Sequence, residues 1–323
     1  MNADRRTLLA LSLACLVAPM PAMAQSRSGQ PLHLLVPYAP GGPTDILARL
    51  AAPALGERLG QPVIVDNVPG AGGNIGMARG AKARPDGLTV TVVAPNIVTN
   101  PELTRGVGYD PYADFTPVTI AVRAAVVACV HPSLPVATLD ELVALVRSQP
   151  GRHSYASPGN GTPPHLVAEQ LRLGQGVDLA HIPYSSAGQA VAAALGNQVP
   201  IVFSSTPPAV AHIQAGKLRA LAVTGAIRST ELPTTPTMAE AGHADVDGEG
   251  WFAFVVPAAT PKETVAMLYR AISEVMESTA VRSRLPGLGF ELVLSPPEVS
   301  ASRLRSEGEK WRRIIRTAGI KAE

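Results

Sequence analysis

Aromatic side chains are scarce in this chain, 4% of 323 residues, and charged ones reach only 16% with a net charge of +2. Nucleic acid is therefore not an expected partner: its backbone calls for a broad basic field, and its single strands call for stacking platforms. Cysteine is almost missing, with Cys15 near the start and Cys129 in the apolar run AAVVACV. The longest apolar run, Leu8 to Ala18, falls short of the roughly 20 residues that a membrane helix needs. Low-complexity tracts are absent too, and at 46% hydrophobic residues intrinsic disorder is excluded. Also missing are GxSxG, HExxH, CxxC and GxxxxGK[ST], so the sequence offers no nucleophile elbow, metal cluster or triphosphate cradle. No catalytic residue, metal ligand or cofactor is expected.

What is present begins with a leader. Arg5 and Arg6 precede the apolar run, and Ala22-Met23-Ala24 stands before Gln25. Positive n-region, short h-region and A-x-A site describe a secretory signal peptide over residues 1–24. Its removal predicts an exported, periplasmic protein with 25 basic and 24 acidic residues, by either a general or a twin-arginine route. Only Cys129 then remains. An internal disulfide is excluded, and the apolar neighbours of Cys129 make it a small core residue.

A chain of this length exceeds what one core comfortably holds, so two lobes are expected. Apolar runs at 32–38, 62–67, 88–94, 124–130, 200–205, 218–224 and 252–257 read as strands with no wet face. Amphipathic segments between them predict helices over 44–59, 75–84, 139–148, 163–173, 188–196, 207–215, 261–277 and 296–318. This alternation predicts an α/β fold with mainly parallel sheets. HPSLPVATLD (131–140) and GHADVDGEGW (242–251) carry turn residues suited to crossings between lobes. The expected division is 31–130 plus 251–323 for one lobe and 131–250 for the other.

Three Gly-rich loops precede helices. In VPYAPGGPTDILAR (36–49), Gly42 or Thr44 suits the N-cap, Pro43 suits the first helical turn, and Asp45 lies at the positive end of the helix. Gly41 and Gly42 either form a tight strand-to-helix bend or turn main-chain N-H groups toward a carboxylate or phosphate. The second loop, 67–87, has glycines at 70, 72, 73 and 76 with Asn74 as a helix cap, but Ile75 stands where a dinucleotide fingerprint needs glycine. In YASPGNGTPPHLVAEQL (155–171), Thr162 suits an N-cap, while Ser157, Asn160 and His165 surround the helix start with neutral polar groups. His165 is read as structural or ligand-contacting. Two such loops, one per lobe, could close on an anion from opposite sides.

These segments resemble the Bug-type solute receptors of tripartite tricarboxylate transporters. The likeness continues through VDNVPGAGGNIGMARGAKARPDGLTV, HIPYSSAGQAVAAALGNQV, AGKLRALAVTGAIRSTELPTTPTMAEAG and GWFAFVVPAATPKETV, in the family's order. It implies a two-lobe Venus-flytrap fold, a monomer, and a small organic carboxylate held between the lobes and delivered to membrane transport subunits. It implies contacts from Tyr38, Ala39, Gly41, Gly42, Thr44 and Asp45, and from Ser157, Gly159, Asn160, Gly161, Thr162 and His165. Asn74, Asn96, Tyr184 and Ser204 complete the candidates. The second lobe departs from the family pattern: Ser185 and Ser186 replace a lysine-glycine pair, Ala193 an aspartate, and Ser204 another aspartate. A more neutral pocket is expected. A sensor delivering its ligand signal to a membrane kinase, and a periplasmic enzyme on a small acid, are the other readings.

Overall fold

The computed structural model describes residues 29–318 and residue 320, so the expected signal peptide lies outside the described residues. The chain opens with β1 (Leu32–Val36), α1 (Pro43–Leu59), β2 (Val63–Asn67), α2 (Asn74–Ala81), β3 (Thr89–Val93) and α3 (Asn96–Leu103). A long strand, β4 (Phe115–Val130), follows. Then come α4 (Leu139–Ser148), β5 (Ser154–Ser157), α5 (Pro163–Gln175), β6 (Ala180–Pro183), α6 (Ala187–Leu195), β7 (Ile201–Ser205), α7 (Thr206–Gln214) and β8 (Arg219–Val223). The chain returns through β9 (Glu249–Pro257), α8 (Lys262–Glu277), the short α9 (Thr279–Arg282), β10 (Glu291–Leu292) and α10 (Pro297–Ala318).

Local chemistry accounts for the helix ends. Pro43 fits the first turn of α1, where its missing N-H has no intrahelical acceptor to lose, and Gly60 ends the helix at φ 64°. Leu47, Ala48, Leu50, Ala51 and Leu55 form its buried stripe. In α4, Thr138 and Glu141 close a reciprocal capping box.

The expectation of mainly parallel sheets is corrected. Among the described residues β1 pairs in parallel with β2 and β3, and β5 with β6 and β7, but β9 runs antiparallel to β3 and β4, and β4 antiparallel to β7, β8 and β10. The strands form one sequence of neighbours, β2-β1-β3-β9-β4-β7-β5-β6, in which β4 is common to two halves. Its pairing with β9 ends at Ala125, and its pairing with β7 begins at Val126. The strand thus changes sheet partners within its length, with no turn residue between Ala125 and Val126. Val118 to Ala124 join one core and Val126 to Val130 the others. Cys129 lies fully buried in the second half, where burial pushes its thiol pKa up.

The last helix also bridges the two halves. Trp311 and Ile315 of α10 pack with Leu166 of α5, and an added Cβ at Gly248 would lie 2.9 Å from the Trp311 ring. Two parallel βα units therefore face each other, tied by β4, β9 and α10. Their helix starts meet at the shared edge.

Candidate ligand-binding site

A small, partly open cavity of about 30 Å³ lies where the two halves meet, room for a few water molecules. Its wall is assembled from helix starts. Gly42, Pro43 and Thr44 open α1, Pro95 precedes α3, Thr162, Pro163 and Pro164 open α5, Ala187 opens α6, and Ser205 is the N-cap of α7. Tyr38, Ala94, Pro158 and Phe252 complete it. No charged side chain lines the cavity, yet the positive ends of five helix dipoles do. The first turn of a helix leaves N-H groups without intrahelical acceptors. Prolines remove several here, while those of Thr44, Asp45, Ala187 and Gly188 remain. Such an arrangement stabilises an anion without a cationic partner.

Of the sequence-derived candidates, Tyr38, Gly42, Thr44 and Thr162 line the cavity. The Thr44 hydroxyl is fully buried and has no hydrogen-bond partner, an unspent donor beside the cavity. Others have structural tasks. Asp45 accepts from the Gly41 N-H at 3.0 Å, from Arg49 Nε at 3.0 Å and from Asn67 Nδ2 at 3.0 Å. Burial raises its pKa, but the hydrogen bonds from Arg49, Gly41 and Asn67 outweigh that and hold the carboxyl below its ordinary value. The Gly41 N-H thus ties the first loop to the start of α1.

A second network supports the first loops from beneath. Tyr38 donates to Asn96 Oδ1, Asn96 Nδ2 donates to the Gly72 carbonyl at 2.7 Å, and Asn100 Nδ2 donates to Asn74 Oδ1 at 2.7 Å. Asn74 was expected to cap α2, but Gly73 takes that position at φ 96° and no side chain caps the helix. The Asn74 side chain turns inward to Asn100 instead. Burial first, and Tyr109 second, push the Tyr38 pKa upward against the pull of Asn96, so its hydroxyl stays protonated.

The third loop is fastened in the same manner. Ser157 Oγ accepts from the Gly159 N-H at 3.1 Å and lies 2.6 Å from His181 Nε2. His165 Nδ1 accepts from the Gly161 N-H at 3.2 Å, which places its proton on Nε2. Thr162 occupies the N-cap of α5, but its side chain makes no cap hydrogen bond and its hydroxyl donates to the Gly159 carbonyl at 2.7 Å. His165, His181 and Tyr155 form a buried stack with centroid spacings of 4.4 and 4.9 Å. Burial lowers the His165 pKa to about 4 and, with help from His165, that of His181 to about 3. Both rings are neutral near pH 7. The Ser157–His181 pair has no carboxylate behind it, since His181 Nδ1 is unpartnered, so it lacks the orienting acid of a nucleophilic triad. Asn160 Oδ1 is also buried without a partner. Tyr184 packs beside the Val127–Ala190 core, and Ser204 donates to the Ser205 carbonyl at 3.0 Å, one residue short of the wall.

The halves touch directly around this cavity. The Ala39 N-H donates to the Ser185 carbonyl at 3.3 Å, the Ser186 hydroxyl to the Pro40 carbonyl at 3.2 Å, and the Thr99 hydroxyl to the Gly161 carbonyl at 2.5 Å. A Cβ on Gly188 would lie 2.7 Å from the Gly41 carbonyl oxygen, and one on Gly161, at φ 75°, would lie 2.4 Å from Asn100 Oδ1. These glycines permit the contact. Ala94, Pro95, Pro158, Ala187, Ser205 and Phe252 escaped the sequence reading as wall residues. For Ser205 a signal existed, a strand end followed by Thr-Pro-Pro.

Among the described residues no group of three or more His, Cys, Asp or Glu could hold a metal, and no helix is long and apolar enough to cross a membrane. Comparison with known proteins agrees with this architecture. The family described as "Tripartite tricarboxylate transporter family receptor" matches residues 47–320. Protein BugT of Bordetella pertussis is 33% identical over 303 residues, covering 93% of each chain. The solved structure of periplasmic binding protein BugD superimposes with a TM-score of 0.87 at 31% identity, covering 91% of this chain and 99% of that one. R. palustris Rpa4515 with adipate gives 0.88 at 33% identity, again over 91% and 99%.

Proposed function

The chain belongs to the tripartite tricarboxylate transporter receptor family, and from that premise we propose that it captures a small organic carboxylate between two lobes outside the cytoplasm and delivers it to membrane transport subunits. The observation that carries this reading is the convergence of five helix starts on one uncharged cavity, with the buried Thr44 hydroxyl unspent beside it. Backbone N-H groups and helix dipoles favour an anion and leave the rest of the molecule to be sorted by shape. The adipate held by a similar protein is such an anion.

We place the lobe boundaries at Ala125 on β4 and Glu249 on β9, where sheet pairing changes partners. The room left at this junction, about 30 Å³, is small for an organic acid, and in this reading a ligand enters as the lobes part about these strands and α10. No bond is made or broken in this scheme. Export by the expected signal peptide and a monomeric state belong to the same proposal.

The test is a thermal-shift screen of carboxylates against the mature protein, followed by small-angle scattering of any hit. A true ligand raises the melting temperature by linkage and holds the particle compact. If no carboxylate does either, or if a carboxylate is consumed on incubation, the receptor reading fails.

A further inference from the structure

We infer that the lobe carrying β1 holds a second binding site, an open groove between the starts of α8 and α10, and that it takes an amphiphilic anion, an acidic head on a hydrocarbon body. The inference stands apart from the receptor reading, and neither depends on the other. The groove offers about 480 Å³, within the roughly 300 to 1,000 Å³ of small-molecule sites. It lies away from the cleft. Phe252 lines the cavity between the halves and Ala258 lines the groove, and the extended chain between them spans roughly 20 Å.

The wall has an apolar part and a cationic part. Phe115 and Pro117 of β4, Val265 of α8 and Leu304 of α10 supply the first. Lys262, in the first turn of α8, and Arg305 of α10 supply the second, and among the described residues neither has an ion-pair partner. Glu298 is the single acid on the wall, so positive charge prevails. The Arg305 guanidinium is kept at the groove by the Tyr112 ring, 5.2 Å from its centroid. Gly308 leaves that ring its place, since a Cβ there would collide with the Tyr112 hydroxyl. Both helices meet the groove with their first turns, through Lys262 and Glu298, where their dipoles are positive.

A further group points independently to a ligand. Thr260 lines the groove just ahead of α8, is only 6% exposed, and its Oγ1 is buried with no hydrogen-bond partner. Buried hydroxyls without partners are exceptions in folded proteins. An anionic head beside Lys262 supplies the acceptor that Thr260 lacks. A bare inorganic ion leaves the apolar wall in water, and a neutral hydrocarbon leaves both cations unpaired. A molecule with both parts satisfies both.

Decanoate is the probe, titrated by calorimetry into the purified mature protein, with acetate as the control for the body and decyltrimethylammonium as the control for the head. Decanoate is expected to bind, and each control at least about tenfold more weakly. K262Q/R305Q should weaken decanoate about tenfold by removing two charge-assisted contacts. A301F fills the groove from α10 and should abolish binding. Lys262 and Arg305 are exposed, so the double variant keeps the fold and decides the matter even if A301F does not fold. Failure of decanoate to bind, or equal binding of either control, overturns the inference. So does decanoate affinity unchanged in K262Q/R305Q, which would place the acid elsewhere on the protein, the cleft included.

Discussion

Ser186 donates its hydroxyl hydrogen to the Pro40 carbonyl at 3.2 Å, and the same oxygen accepts the Gln189 N-H at 3.3 Å as the N-cap of α6. One side chain thus starts a helix in one lobe and fastens it to the first loop of the other. Replacing it with alanine removes both. S186A should cost about 1 kcal/mol of stability through the lost cap, and should weaken ligand binding several-fold through the lost interlobe bond. Chemical denaturation and calorimetry separate the two, and an unchanged affinity would leave Ser186 as a cap alone.

Gly188 separates closure from stability more cleanly. It sits in the first turn of α6, where alanine is the better helix former by up to about 1 kcal/mol. Yet its Cβ would stand 2.7 Å from the Gly41 carbonyl oxygen across the cleft. G188A should therefore melt at or above the wild-type temperature without ligand and lose at least about tenfold in affinity. Scattering should show it expanded even with ligand. A variant that closes normally would show that the lobes need not approach this near.

Acid should loosen the second lobe through its histidine stack. His165 and His181 titrate near 6.5 when exposed, but burial holds them at about 4 and about 3. The unfolded chain binds more protons than the folded one between these values, so stability rises with pH there. The contribution is complete above about pH 6.5 and is lost progressively down to pH 3, on the order of a few kcal/mol. H165N keeps an acceptor for the Gly161 N-H, whose bond to the ring is 3.2 Å. Urea unfolding from pH 7 to pH 4 should fall less steeply for H165N. Parallel curves for both proteins would mean that the stack is not the source.

How much of this was legible in the sequence depended on periodicity and punctuation. The helices α1, α4, α8 and α10 carry long stripes such as Val265, Leu268, Ile272 and Val275, and their extents match the sequence pattern closely. The helix α3, NIVTNPEL, escaped it because Pro101 and β-branched residues argue against a helix that tertiary contacts enforce. The first half of β4 was hidden by Pro117, and β5, β6 and β10 are too short to show a period. The two cleft loops announced themselves through Gly and Pro ahead of helices. Ala94, Ser205 and Phe252 did not, because strand order alone brings these distant positions to one wall. Asp45, placed by the sequence at the positive end of α1, is held there by its bonds from Gly41, Arg49 and Asn67.

Thr44 offers the sharpest opposition between the empty protein and the occupied one. Its hydroxyl is wholly buried, lies at the cavity and has no partner, which costs about 1 to 3 kcal/mol in desolvation. Valine has nearly the same shape and the same β-branching, so T44V removes the unsatisfied group without opening a hole. The ligand-free variant should be more stable than wild type by about 1 kcal/mol or more. If the hydroxyl donates to the ligand carboxylate, that charge-assisted bond is forfeited, and affinity should fall about tenfold or more. Stability and binding then move in opposite directions from one methyl-for-hydroxyl exchange, which neither a packing defect nor a general loosening of the lobe would produce. Denaturant midpoints and calorimetry on the same preparation decide it, and a stabilised variant with wild-type affinity would remove Thr44 from the ligand's donors.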